Sequence, residues 1–148
     1  MADSGRIRVF SVEANTTIYL GSMVAINAAG NAVPASATTS VANAQKVIGR
    51  AEYVVNGFPG QNAGNNPGAA GAIQLAVRKG VFMFSQDSSI TAASIGSPCF
   101  ATDDNNVTAN DRASGATVQQ YPAAGQVVAI DPSGEVWVDF WHQATPAA

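Results

Sequence analysis

The side chains able to do chemistry are one histidine, one cysteine and a few carboxylates. Nucleophilic catalysis of the Ser-His or Cys-His kind needs an imidazole base, and the single histidine, His142, stands beside Trp141 near the end of the sequence. That setting reads as a strand-end side chain stacked on an aromatic. Cys99 lies between Pro98 and Phe100, with no second cysteine to pair with and no His or Lys nearby in sequence to lower its pKa. It reads as a small buried hydrophobe, and an unpaired cysteine fits a reducing compartment. Asp3-Ser4-Gly5 matches the carboxylate signature of aspartic proteases, and Val47-Ile48-Gly49-Arg50 echoes a later motif of the dimeric ones. Such a dyad needs an apolar strand ahead of the aspartate to brace its loop, and only two residues precede Asp3. Zinc calls for clustered Cys and His, which one of each does not supply. Asp103-Asp104-Asn105-Asn106 offers hard oxygens, but lacks the alternating spacers and closing glutamate of a calcium loop, so an Asx-rich turn is expected there. No Walker or dinucleotide pattern occurs, and the glycine-rich stretch from Gly57 to Gly71 has no lysine. No catalytic, metal or cofactor-binding residue is assigned, and an enzyme is not expected.

Charge points the same way. Seven Lys and Arg against ten Asp and Glu give a net charge of −3, with no concentrated positive field for phosphates, so direct nucleic-acid binding is not expected. No apolar run reaches the roughly 18–20 residues of a membrane span, and Met1-Ala2-Asp3-Ser4-Gly5 lacks the character of a signal peptide. The expectation is a protein made in a cytoplasm, with no membrane partner. Arg78-Lys79 is the one basic pair. It suits either a solvated turn or docking on an acidic protein surface.

The elements that would position these groups are strands. Val and Ile number 16 and 8 against 2 Leu, and β-branched side chains favour a pleated surface over a helix. Residues 6–12 are apolar on both sides, as on a strand at a sheet edge or along a neighbouring subunit. Thr16 to Asn27 reads as two short strands broken at Gly21-Ser22, and Val33 to Gln45 as a surface loop. Lys46 to Val55 reads as a strand with Val47, Gly49, Ala51 and Tyr53 on one side. Residues 57–71 carry five glycines and predict a long flexible loop or arm. Ile73 to Val77 and Val81 to Phe84 resume the sheet, Ser88 to Ile95 predicts one helical turn capped by Ser88 or Ser89 and ended by Gly96, and 116–118 a short strand. Gly125 to Asp131, the turn Asp131-Pro132-Ser133-Gly134 and Glu135 to Trp141 form the strongest hairpin signal. The expected fold is all-β: a small single-domain barrel or sandwich over 1–148, with an N-terminal arm or edge strand at 1–12, the loop at 57–71 and a frayed tail at 143–148.

With no reactive constellation, what stands out is adhesive surface. Phe58, Val81-Phe82-Met83-Phe84 and Trp137 to Trp141 carry more apolar area than half-exposed strands should show. Phe82 and Phe84 alternate with Val81 and Met83, so both sides of that strand are apolar. It is buried either between core and partner or on both sides within one barrel.

The succession of segments carries a resemblance. Ile18-Tyr19-Leu20-Gly21-Ser22-Met23-Val24-Ala25-Ile26-Asn27, Ala29-Gly30-Asn31-Ala32-Val33-Pro34, Val47-Ile48-Gly49-Arg50-Ala51-Glu52, Val77-Arg78-Lys79-Gly80-Val81-Phe82 and Ile95-Gly96-Ser97-Pro98-Cys99-Phe100-Ala101-Thr102-Asp103-Asp104 follow in order. Ala124-Gly125-Gln126-Val127-Val128-Ala129-Ile130-Asp131 and Gly134-Glu135-Val136-Trp137-Val138 complete the series. Together they resemble the head decoration, or minor capsid, proteins of tailed phages, in an order covering most of the chain. Each segment is a strand with its turn, so the resemblance rests on their succession, and residues 57–71 exceed the loop the family would lead one to expect. What it implies is a cement protein on the outer surface of the virion head, similar in role to the lambda-type decoration protein. Its implied partners are the major capsid protein and itself, as a homotrimer. Arg6, Arg8 and Phe10, the segment around Phe58, the pair Arg78 and Lys79, and the aromatics Phe82, Phe84 and Trp141 are then the expected capsid or protomer interface. A receptor- or glycan-binding head protein is the alternative, with Trp137 and Trp141 as stacking platforms.

Overall fold

A computed structural model describes residues 7–37, 45–55 and 63–140. Its strands are β1 (Ile7–Ser11), β2 (Thr16–Tyr19), β3 (Met23–Ile26), β4 (Ala32–Pro34), β5 (Lys46–Val54), β6 (Ala63–Asn66), β7 (Gln74–Arg78), β8 (Val81–Gln86), β9 (Pro98–Ala101), β10 (Asn106–Thr108), β11 (Ala123–Ile130) and β12 (Val136–Asp139). The one helical element among the described residues is a 3-10 turn at Ala92–Ser94. The all-β, single-domain expectation is met.

The second half of the chain closes a five-stranded barrel in the order β10-β8-β12-β11-β9. Its seams are antiparallel except for the short parallel join of β10 to β8, at Asn106 with Ser85 and Val107 with Gln86. Period-2 alternation sends Phe82 and Phe84 of β8, Val136 and Val138 of β12 and Val127 of β11 inward, where they meet Cys99, Ala101, Val107 and Phe140. Phe140 is fully buried. Its ring lies 6.0 Å from that of Phe82 and 5.8 Å from that of Phe84, tilted and edge-on, the arrangements that aromatic quadrupoles favour.

The first half builds an antiparallel sheet in the order β1-β7-β5-β3-β4, and β2 pairs with β6 as a separate ribbon. Met23, Ala25 and Val47 of the sheet join the barrel core. Val24, Ala51, Leu75 and Val77 instead form a second core with Val12, Ile18 and Ala32. A strand apolar on both faces is what β3 needs, because it is covered on both. Two register shifts along β5, opposite Val24 and Ala25 of β3 and opposite Val77 and Ala76 of β7, reassign its side chains between faces. Val47 and Ala51, expected on one side, therefore enter different cores.

Several expectations change. Ile7–Ser11 is the edge strand of the chain's own sheet, paired along its length with β7, and Val12 is fully buried. The stretch expected as a flexible loop over 57–71 contains β6, and its described portion is pinned by Asn66. The buried Asn66 amide donates to the carbonyls of Val12 (3.0 Å), Glu13 (3.2 Å) and Ala69 (2.9 Å) and accepts from the Gly68 N–H at 3.1 Å. Residues 56–62 and the tail at 143–148 lie outside the described residues. Residues 116–118 are not a strand; their segment is tied by Arg112 Nη1 to the Thr117 carbonyl at 3.0 Å. The helical turn starts later than expected, capped by Thr91 rather than Ser88 or Ser89, and Gly96 follows it at φ +89°. The β11–β12 hairpin forms as expected, Asp131 accepting from the Ser133 N–H at 3.0 Å and Gly134 taking φ +95°.

Two glycines mark places where backbones come too close for a side chain. A Cβ at Gly49 would collide with the Arg78 carbonyl, and one at Gly125 with the Asp139 carbonyl. Alanine at either position is expected to lower stability by about 1–3 kcal/mol, as overpacking does. Gly134→Ala, at positive φ but facing open space, is expected to lose only about 1 kcal/mol. Urea melts of the three variants check the order.

Candidate docking surface

The expected interface residues separate into three groups. Arg6, Phe58 and Trp141, with His142, lie outside the described residues. Phe10, Phe82 and Phe84 turn inward. Phe82 and Phe84 are 9% and 5% exposed in the chain's own barrel core, while Val81 and Met83 between them face outward, so β8 is not buried on both sides within the barrel. Phe10 packs against the second core. The physical reason is register: each pairs across its strand with residues of the same chain, Phe82 with Val138, Phe84 with Val136 and Phe10 with Leu75, which are themselves interior. Arg8, Arg78 and Lys79 remain at the surface, Arg8 exposed and the other two half-buried.

Arg78 is engaged within the chain. Its Nε donates to Glu52 Oε1 at 2.7 Å, while Arg50 holds Glu52 Oε2 through Nη2 at 2.7 Å and Nε at 3.1 Å. The Arg50 guanidinium also lies over the Phe82 ring, 3.9 Å from its centroid. Glu52 therefore sits between two arginines at the seam where the sheet meets the barrel, a role that alternation alone did not indicate. The extra residue at the β5 register shift brings its carboxylate into reach of Arg78.

Cross-strand register places Met23, Arg50, Arg78 and Ile7 in one row from β3 to β1. Met23 is under the barrel and Arg50 lies over Phe82 at its edge. In the next row, Val9 of β1 and Tyr53 of β5 flank Ala76 of β7, which is itself fully buried. Val9 is 51% exposed, Tyr53 50% and Val55, two residues on from Tyr53, 45%. This apolar shelf runs up to the edge strand β1, whose outer side carries no strand among the described residues.

A second apolar area lies on the outer wall of the barrel. Val81 and Met83 alternate with the inward phenylalanines and are exposed, and Met83 pairs across the sheet with Trp137, also outward. The surface signal read at β8 is thus displaced by one residue.

The remaining polar groups are absorbed by structure. Asp103 accepts from the backbone of Asn105 (2.8 Å) and Asn106 (2.9 Å), making the Asx-rich turn. Burial pushes the Asp87 carboxyl up, but donation from Ser89 and Thr108 outweighs it and holds the group below the usual carboxylate range. Among the described residues no three His, Cys, Asp or Glu side chains gather to hold a metal ion, and no helix is long and apolar enough to cross a membrane.

Cys99 is fully buried in the barrel, and desolvation pushes its thiol up to about 12. The native thiol should resist aromatic disulfide reagents at mildly alkaline pH and react only on unfolding. Because the folded pKa exceeds the ordinary value of 9.0, the fold holds the proton where the unfolded chain releases it. That contribution to stability is intact below about pH 9 and is lost as pH rises towards 12. A Cys99→Ala variant should flatten the alkaline limb of a stability-versus-pH curve.

Neither models of protein families, nor curated proteins, nor solved structures give a match to this chain.

Proposed function

We propose that this chain is a structural virion protein that binds the outer surface of a mature phage capsid, together with the major capsid protein, and reinforces the shell against internal DNA pressure as a homotrimer. The observation that carries this reading is the apolar shelf of Val9, Tyr53 and Val55, left open beside the edge strand β1 on a sheet whose other end is covered. An apolar face bordered by an unpaired strand edge supplies both non-directional adhesion and backbone hydrogen-bonding groups for a neighbouring strand. The ordered succession of strand-and-turn segments that resembles decoration proteins supports the same reading.

The physics of reinforcement is mass action. A protein that binds only the mature shell stabilises it by RT ln(1 + [L]/Kd) per site, about 2.7 kcal/mol when free protein is at 100 times Kd. A trimer engaging several shell subunits gains further through effective concentration, so each contact can be modest. Arg8, exposed on the edge strand β1, is a cation able to steer docking on an acidic shell.

Removing the N-terminal segment through Val12 is a poor test, since it takes away an edge strand and a buried core residue. Tyr53→Asp and Val9→Asp leave both cores untouched. Each is expected to keep the wild-type melting temperature within a few degrees and to reduce co-sedimentation with mature phage heads at least tenfold, whereas Val118→Asp on an exposed loop should bind as wild type. Full occupancy by the two aspartate variants, or failure of the wild-type protein to bind heads or raise their heat resistance, refutes the reading.

A further inference from the structure

The outer wall of the barrel offers a feature that capsid binding does not use. Trp137 stands near the middle of that wall, paired with Met83 of β8 on one side and Ala129 of β11 on the other, and is 36% exposed. Asp131, paired across the turn with Glu135, and Ala129, paired with Trp137, share its face of the hairpin.

A cleft of about 490 Å³ is lined by Ser85, Gln86, Ser88 and Ile90 after β8 and by the 133–135 segment that leads into β12; Trp137 itself does not line it. This is within the size range of small-molecule sites. Glu135 precedes Trp137 by two residues on the same face, roughly 6–7 Å along the strand. Ser85 holds the matching place on β8, two residues beyond Met83. The walls are braced before any ligand arrives. The Gln86 amide donates to the carbonyls of Ile90 and Gly134, both at 3.0 Å, and accepts from the Ile90 N–H at 2.8 Å, tying together the two loops that form the cleft.

We propose that Trp137 and this cleft form a saccharide site, taking a neutral pyranose ring stacked on the indole with its hydroxyls directed to Glu135 and the serines. The chemistry selects that ligand class. An indole face matches the apolar C–H face of a pyranose, and Glu135, which lines the cleft, is two residues from Trp137 on the same face of the strand. The lining holds hydroxyls and one carboxylate, which accept and share hydrogen bonds with sugar hydroxyls, and no Lys or Arg that would recruit sialylated, sulfated or phosphorylated glycans. The proposal deepens the glycan-binding alternative and does not depend on capsid binding.

Isolated protein titrated with neutral oligosaccharides (maltotriose, cellotriose, chitobiose and galactobiose) and with sialyllactose, followed by ligand-observed NMR, tests it without any phage head present. Saturable binding of at least one neutral sugar is expected, weakened about tenfold or more by Trp137→Ala and by Glu135→Gln, and partly retained by Trp137→Phe, which also reports that the barrel is intact. Absence of binding to all four neutral sugars, equal binding by the alanine variant, or preference for sialyllactose overturns the site. Loss of head binding by Trp137→Ala without any sugar binding overturns it too, and reassigns the barrel wall to protein docking.

Discussion

Two-sided burial of β3 is the constraint on which the rest of the structure depends. Met23 and Ala25 enter the barrel core and Val24 the core beneath the β2–β6 ribbon, all three without solvent contact. One four-residue strand thereby fastens two hydrophobic units into one domain. Neither unit would be large alone, and sharing strands raises the fraction of surface that a chain of this size can bury.

That sharing sets the geometry of the seam. The chain passes from sheet to barrel at Lys79 and Gly80, between β7 and β8, and the sheet therefore meets the barrel over only part of one face. At the line where contact ends, Glu52 holds Arg50 and Arg78, and Arg50 lies over Phe82. Charged groups at the rim of an apolar contact keep their heads in water while their stems cover hydrophobic surface. Past this rim Ala76 stays buried while Val9, Tyr53 and Val55 around it are half exposed, and these three make the apolar shelf.

Several polar side chains among the described residues serve backbone and turn needs. Asn66 ties together the carbonyls of Val12, Glu13 and Ala69, Asp103 closes a turn, and Ser89 and Thr108 satisfy Asp87. No buried side-chain polar atom among the described residues lacks a partner. Such satisfaction rigidifies a fold.

The strand-rich fold was legible in the sequence because its signals are local. β-branched bias, the Asp131-to-Gly134 turn and the alternation around it depend on neighbours a few residues apart, and the β11–β12 hairpin formed where they pointed. The burial of Cys99 followed equally from its chemical setting. What the sequence could not decide was which side of an apolar strand meets its own core. Phe82 and Phe84 against Val81 and Met83, or Phe10 against Val9, are equivalent under a two-residue period, and only the pairing of strands distant in sequence chose between them. The register shifts in β5 and the recruitment of β6 from a glycine-rich stretch were likewise invisible, since they are imposed by what lies across the sheet. Residue types determined that this chain would be β-sheet; tertiary contacts determined which residues the surface displays, because exposure is a property of packing.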